Sequence, residues 1–262
     1  NFTSTTWSDH LDYYNNFGPA QSNASRMIER SENTGNITAT TSAPIYKYLI
    51  KISGMVLGKS FHHYALRNTG NISVSINHDA PYSHASVPSI DGITVGQKKI
   101  IVVGVAEEIF ALRRGYSLYN GGRIQVQTAS SLDIKFHIYA SGVLHRNRNT
   151  TSTITTDTVH TLLNDGYIDV QADVEGNVRA AGIVSLNYGV IQSSINAGDI
   201  VAINNGKASL NPSDPYSDYL VDAGGIANLF LSSTTTSTAI GYLLNASNYG
   251  DVHARNTSTE GR

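Results

Sequence analysis

Apolar and polar residues alternate with a period of two along much of this chain, and helical periodicity is weak throughout. Tyr46, Tyr48, Ile50 and Ile52 fall on one face of a run at 45–56, while Lys47 and Lys51 fall on the other, the pattern of a strand with one dry face. Ile72, Val74 and Ile76 alternate in the same way with Ser73, Ser75 and Asn77. Leu132, Ile134, Phe136 and Ile138 alternate with Asp133, Lys135, His137 and Tyr139, and Ile168, Val170, Ala172 and Val174 with Asp169, Gln171 and Asp173. The expectation is an all-β protein: an antiparallel β-sandwich or jelly-roll followed by a small β-barrel or sandwich, preceded by an extended N-terminal arm.

Turn chemistry sets the expected boundaries. Residues 1–43 are polar and punctuated and read as an arm, with room for one short helix over 25–32 capped by Ser25 or Asn23. Trp7, Tyr13, Tyr14 and Phe17 could anchor that arm on this chain or a neighbour. Residues 44–147 form the sandwich, with a helical turn possible at 106–112, and the polar run 146–153 reads as a linker into a C-terminal domain over 148–262. Asn68-Thr69-Gly70-Asn71, Asp91-Gly92 and Asn120-Gly121-Gly122 accept positive φ at low cost. Glu175-Gly176-Asn177 and Asn204-Asn205-Gly206, each between apolar runs, predict two hairpins.

Composition narrows the function classes. Charged residues are 15% of the chain, and Lys+Arg 18 against Asp+Glu 20 leave a net charge of -2, so no broad attraction to nucleic acid or an anionic membrane is expected. With Cys 0 there are no disulfides, thiolate metal sites or cysteine nucleophiles. The longest apolar run, at 100–105, is far short of the roughly 20 residues of a membrane span. Starting at Asn1 without a methionine or an apolar leader, the chain reads as processed or trimmed.

Candidate chemistry is sparse. His78, Asp79 and His84 have ligand character, but no third partner is identifiable and Pro81 intervenes, so a polar loop is the simpler reading. His62 and His63, adjacent on a strand, point to opposite faces and cannot chelate one ion, leaving one in the core and one solvated. Asp214, Asp218 and Asp222 recur every fourth residue, yet Pro212 and Pro215 interrupt any helix and the spacing is not that of a calcium loop. Glu107 and Glu108 are the densest acidic pair, and as neighbours they point apart. No Gly-x-Ser-x-Gly elbow, catalytic triad context or phosphate-cradling loop is present. The reading is a non-enzyme with no catalytic, cofactor or metal residue.

Tyrosine is the abundant aromatic, Tyr 15 against Phe 6 and Trp 1. Tyr116 and Tyr119 suit stacking on sugar, contact with a second subunit, or plain packing at a sheet edge. Asn-x-Ser/Thr sequons at Asn1, Asn23, Asn36, Asn71, Asn149, Asn245 and Asn256 could carry glycans on a secretory route.

Gly-Asp-Ile-Val-Ala at 198–202, continuing to Ala208, then Gly225-Ile226-Ala227 and Ile240-Gly241-Tyr242-Leu243, resemble the small barrels of head-decoration and fibre proteins on tailed-phage virions. The resemblance covers mainly residues 165–245. It implies a homotrimeric, non-enzymatic structural or receptor-binding component of a virus particle surface, with itself, other virion proteins or a host-surface glycan as partners, and it carries over no individual residue. Two alternatives stand beside it: a cell-surface filament or surface-layer subunit assembling by strand addition, and a carbohydrate-binding or polysaccharide-active β protein with a cleft of acids and aromatics.

Overall fold

The computed structural model describes residues 27–41, 49–58, 62–78, 98–110, 115–130, 136–148, 159–174, 176–206, 221–230 and 242–257. These form successive coils of one β-solenoid. Coil one carries β1 (Met27–Glu29), β2 (Glu32–Asn33), β3 (Ile37–Thr41) and β4 (Leu49–Ser53). Coil two carries β5 (His62–Tyr64), β6 (Arg67–Asn68), β7 (Ile72–His78), β8 (Lys98–Val103) and β9 (Ala106–Phe110), and coil three β10 (Gly115–Asn120), β11 (Ile124–Ser130), β12 (Phe136–Ser141) and β13 (Leu144–Arg148). Coil four comprises β14 (Val159–Asn164), β15 (Ile168–Ala172), β16 (Val178–Ala181) and β17 (Val184–Asn187), and coil five β18 (Val190–Asn196), β19 (Ile200–Asn204), β20 (Val221–Gly224) and β21 (Ala227–Phe230). β22 (Tyr242–Asn248) and β23 (Val252–Asn256) begin a sixth.

Strands at the same position in successive coils pair to make four sheets. Sheet A runs β1-β5-β10-β14-β18-β22 with β2 and β6 beside it, sheet B β3-β7-β11-β15-β19-β23, sheet C β4-β8-β12-β16-β20 and sheet D β9-β13-β17-β21. Every pairing is parallel. All four sheets continue from strands before residue 149 to strands after residue 158.

The all-β expectation holds, and the antiparallel sandwich or jelly-roll followed by a small barrel does not. The two expected hairpins are corners instead: β15 and β16, on either side of Gly176, belong to different sheets, and Asn204-Asn205-Gly206 closes β19 without a paired return strand among the described residues. β1 and β2 occupy part of the expected helix at 25–32, and β9 occupies 106–110. The misreading has a physical source. In a solenoid each parallel strand has one face in the core and one in solvent, so it alternates as an antiparallel edge does.

One motif turns every coil from sheet A into sheet B: Asn, any residue, Gly, any residue, then Ile or Val. It begins at Asn33, Asn68, Asn120, Asn164, Asn196 and Asn248. Each ladder Asn from 33 to 196 donates from Nδ2 to the Oδ1 of the next, at 2.7 to 2.8 Å. Each of the six also donates to the carbonyl of its own glycine, at 2.7 to 3.0 Å. Both amide hydrogens are thereby used at the buried positions, where an unmade hydrogen bond would cost about 1 to 3 kcal/mol. The glycines stack as tightly: a Cβ on Gly70, Gly122, Gly166, Gly198 or Gly250 would lie 2.0 to 2.1 Å from the carbonyl oxygen of the glycine one coil before.

A second glycine column, Gly54, Gly104, Gly142, Gly182 and Gly225, turns sheet C into sheet D. A Cβ on any of these would meet the ladder amide at 2.3 to 2.7 Å, on Asn68, Asn120, Asn164, Asn196 and Asn248 in turn. The two corners therefore touch across the interior and pinch it into two lobes. Sheets B and C enclose Ile72, Val74, Ile100, Val102, Ile124, Val126, Ile138 and Val170 with their neighbours. Sheets A and D enclose Leu66, Ile109, Leu118, Leu144, Val159, Leu162, Val184 and Ile191.

Sheet A is bent. Three residues before each ladder Asn the chain takes positive φ: Arg30 at 49°, Ala65 at 50°, Ser117 at 54°, Thr161 at 59°, Ser193 at 55° and Asn245 at 53°. In coils two to four the bend lets the positive-φ residue and the one before it both face outward before Leu66, Leu118 and Leu162 return to the core.

Candidate functional site

Two outer faces carry side chains with chemistry. On sheet A, Tyr64 and Tyr116 stack at 5.1 Å between centroids, Tyr116 meets the edge of His160 at 3.8 Å, and His62 stacks on Tyr64 at 6.3 Å. Arg67 lies over the ring of Tyr119 at 4.9 Å and pairs with Glu32 at 3.4 Å. A shallow open depression lies between Ala65, Leu66, Arg67, Ser117 and Tyr119. The rings face one another or the guanidinium, so their apolar faces are already used, and this ladder joins neighbouring coils.

The second face is the outside corner where the C–D glycine turn folds sheet D against sheet C. Within a coil, the outward residue of sheet C and the matching residue of sheet D are six positions apart: Ile101 and Glu107, Tyr139 and His145, Arg179 and Ser185, Asp222 and Asn228. Tyr139 and His145 meet edge-on at 5.3 Å. Lys51 Nζ reaches Glu107 Oε1 at 2.6 Å, and Glu107 Oε2 also accepts from the backbone N–H of Gly58. Arg179 donates to Asp222 at 2.8 Å and lies 5.9 Å from the Tyr139 ring, and Arg146 is 3.9 Å from Glu108. Glu107, Glu108, His145 and Arg179 are all buried, although they lie on the outer side of the sheets.

Four cations, Lys51, Lys99, Arg146 and Arg179, thus meet three carboxylates, and among the described residues none pairs with Lys99. Burial lowers the Lys99 pKa, and Arg146 lowers it further. His145 is pushed down to about 3, first by burial and then by Arg146, Lys51 and Lys99. His137 is pushed down to about 4 by burial, Lys99 and Arg179. Burial raises the Tyr139 hydroxyl against the opposing pull of Arg179 and Arg146. Both histidines are therefore neutral at pH 7, and the corner keeps one cation in excess on a chain whose net charge is negative.

The residues singled out from the sequence are dispersed. Tyr116 and Tyr119 lie on sheet A, and Glu107 and Glu108 in β9, where each approaches a different cation. His63 is buried in the A–D lobe and His62 is half-buried, so the adjacent pair does split between faces. His78 ends β7, while Asp79 and His84 lie outside the described residues. Asp222 reaches the corner, and Asp214 and Asp218 also lie outside the described residues. No group of three metal-ligating side chains occurs among the described residues, and no described helix is long and apolar enough to cross a membrane. The corner residues Lys51, Lys99, Tyr139, His145, Arg146 and Arg179 escaped the sequence reading, although the six-residue spacing across a glycine could have paired them. No protein-family model, curated protein or solved structure matches the chain.

Proposed function

We propose that this chain is a stiff recognition rod displayed on the surface of a virus particle or cell, and that the corner between sheets C and D binds an acidic glycan. The observation that carries this reading is the concave row of Lys51, Lys99, Arg146 and Arg179 around Tyr139, with Lys99 lacking a carboxylate of its own among the described residues. A carboxylate or sulfate beside Lys99 and Arg146 would relieve their mutual repulsion. Successive coils repeat every ~4.8 Å, close to the length of a sugar ring, so an extended polymer can run along the corner and meet one coil per residue. The non-enzymatic part of the reading is supported by the three corner carboxylates each lying against a cation.

A glycan array with uronate-bearing, sulfated and neutral oligosaccharides tests it, together with an assay for newly released sugar ends. Acidic glycans should bind, weaken as salt rises, and lose at least tenfold affinity with Lys99→Ala or Arg146→Gln. Equal binding of neutral glycans, or no effect of either substitution, would refute the corner. Release of new chain ends would overturn the non-enzymatic reading.

A further inference from the structure

We infer that the corner reads its glycan with a direction: an acidic residue lies over coils two and three, followed by uncharged residues whose hydroxyls are held by Asp222 in coil five. This names the ligand class of the corner and rests on the glycan reading above. The ligand is then a heteropolymer in which at least two uncharged residues follow each acidic one, not a polymer charged at every residue.

The three ion pairs of the corner are not oriented alike. In Lys51–Glu107, which joins coils one and two, the cation is the outer partner, its side chain 36% exposed against 9% for the carboxylate. Arg146–Glu108, joining coils three and two, has the same order, 26% against 7%. Arg179–Asp222, joining coils four and five, is reversed: the guanidinium is 10% exposed and the carboxylate 33%. An arriving ligand therefore meets Lys51 and Arg146 before the carboxylates beneath them at one end, and Asp222 before its cation at the other. Lys99 adds a further cation to the first end, in coil two.

The level between those ends is recessed. In coil four Arg179 Nε is given to Asp222 Oδ2 at 2.8 Å, and Ser185, across the glycine turn, is fully buried with its hydroxyl donated to the Ala140 carbonyl at 3.4 Å. Coils stand ~4.8 Å apart, so a polymer with an acidic residue over Arg146 brings its second residue onward against Asp222. A carboxylate or sulfate at that place would face an exposed group of its own sign whose neutralising guanidinium lies behind it. A sugar hydroxyl, in contrast, donates to a carboxylate in a charge-assisted hydrogen bond.

Isothermal titration calorimetry of the full chain at low salt, where charge counts most, tests the inference with four tetrasaccharides. These are a tetrauronate, a neutral hexose chain, and two such chains carrying a single uronate at one end or the other. One of the two singly acidic chains should bind at least as tightly as the tetrauronate, although it carries far less charge. Asp222→Asn should move the preference at least tenfold toward the tetrauronate, and Asp222→Glu should keep it. Arg179→Gln, which strips the exposed carboxylate of its cation, should move it the opposite way. A merely loosened fold would shift Asp222→Asn and Arg179→Gln alike. A tetrauronate bound tenfold more tightly than either singly acidic chain, or a preference unmoved by both substitutions, would overturn this inference alone as long as Lys99→Ala still weakens binding. Absence of binding by every acidic chain, or binding indifferent to Lys99→Ala, would overturn the corner reading and this inference with it.

Discussion

The lobe between sheets B and C and the lobe between sheets A and D are turned by the same coils, yet they are built to different rules. The first is closed by straight strands in strict alternation, and its buried cluster is Ile, Val and Ala throughout. The second is closed by sheet A, with a positive-φ residue in every coil, and by sheet D, whose register steps from Leu144 and Val184 to Arg146 and Leu186 without pairing His145 to Ser185. It buries His63, and along its outer corner lie the buried charges of Glu107, Glu108 and Arg179. Regular alternation suffices to build a dry wall. Bends expose two successive outward positions, and the titratable groups gather beside them.

The wall between the lobes is the place to break both. Gly142→Ala puts a methyl 2.2 Å from the Gly182 carbonyl and 2.3 Å from Asn164 Oδ1. Neither neighbour can withdraw without opening the ladder, so a loss of more than about 4 kcal/mol, or failure to fold, is expected in denaturant melts. Asn164→Leu comes next. It leaves the Asn120 amide and the Asn196 oxygen without their ladder partners, for an expected loss of about 3 kcal/mol. A midpoint within 0.5 M urea of the native chain's, at a typical slope, would show that packing rather than the ladder joins the lobes.

Acid should separate the two lobes. Burial pushes His63 down to about 4 from an ordinary 6.5, so between those values the unfolded chain holds a proton that the folded chain lacks. Stability then falls as pH drops from about 6.5 to about 4, by roughly 2 to 3 kcal/mol for this group, and changes little from it below that. His63→Leu should flatten the melting-temperature profile in this window, leaving the part due to His137 and His145. Ile100→Val in the B–C lobe should lower stability by about 1 kcal/mol equally at every pH. A pH profile unchanged in His63→Leu would remove the claimed distinction.

The smallest effect concerns the bend. Thr161 is β-branched at φ 59°, a conformation that costs such a residue about 1 kcal/mol or more. Thr161→Gly should recover part of that cost, raising the melting temperature by a few degrees, provided the added freedom of the unfolded chain does not cancel it.

Much of the fold's local grammar was legible. Ile72, Val74 and Ile76 do face the core, and Asn68-Thr69-Gly70 and Asn120-Gly121-Gly122 do turn the chain. What escaped was that these turns are copies of one corner, because successive ladder asparagines lie 35, 52, 44, 32 and 52 residues apart. The differing numbers of residues between successive ladder positions break any fixed repeat, and a fixed repeat is the usual mark of a solenoid. The candidate site was less legible. Glu107 and Asp222 attracted notice as carboxylates, but Lys51 and Glu107 are 56 positions apart in sequence and meet only because coils stack.

By itself, the alternation along this chain determined that it is made of strands with one dry face, and its Asn and Gly residues determined where those strands end. Strand direction and partner came from the tertiary structure alone. Period-two burial is the same for parallel and antiparallel neighbours, and only stacking places Asn on Asn, Gly on Gly and cations from several coils in one corner.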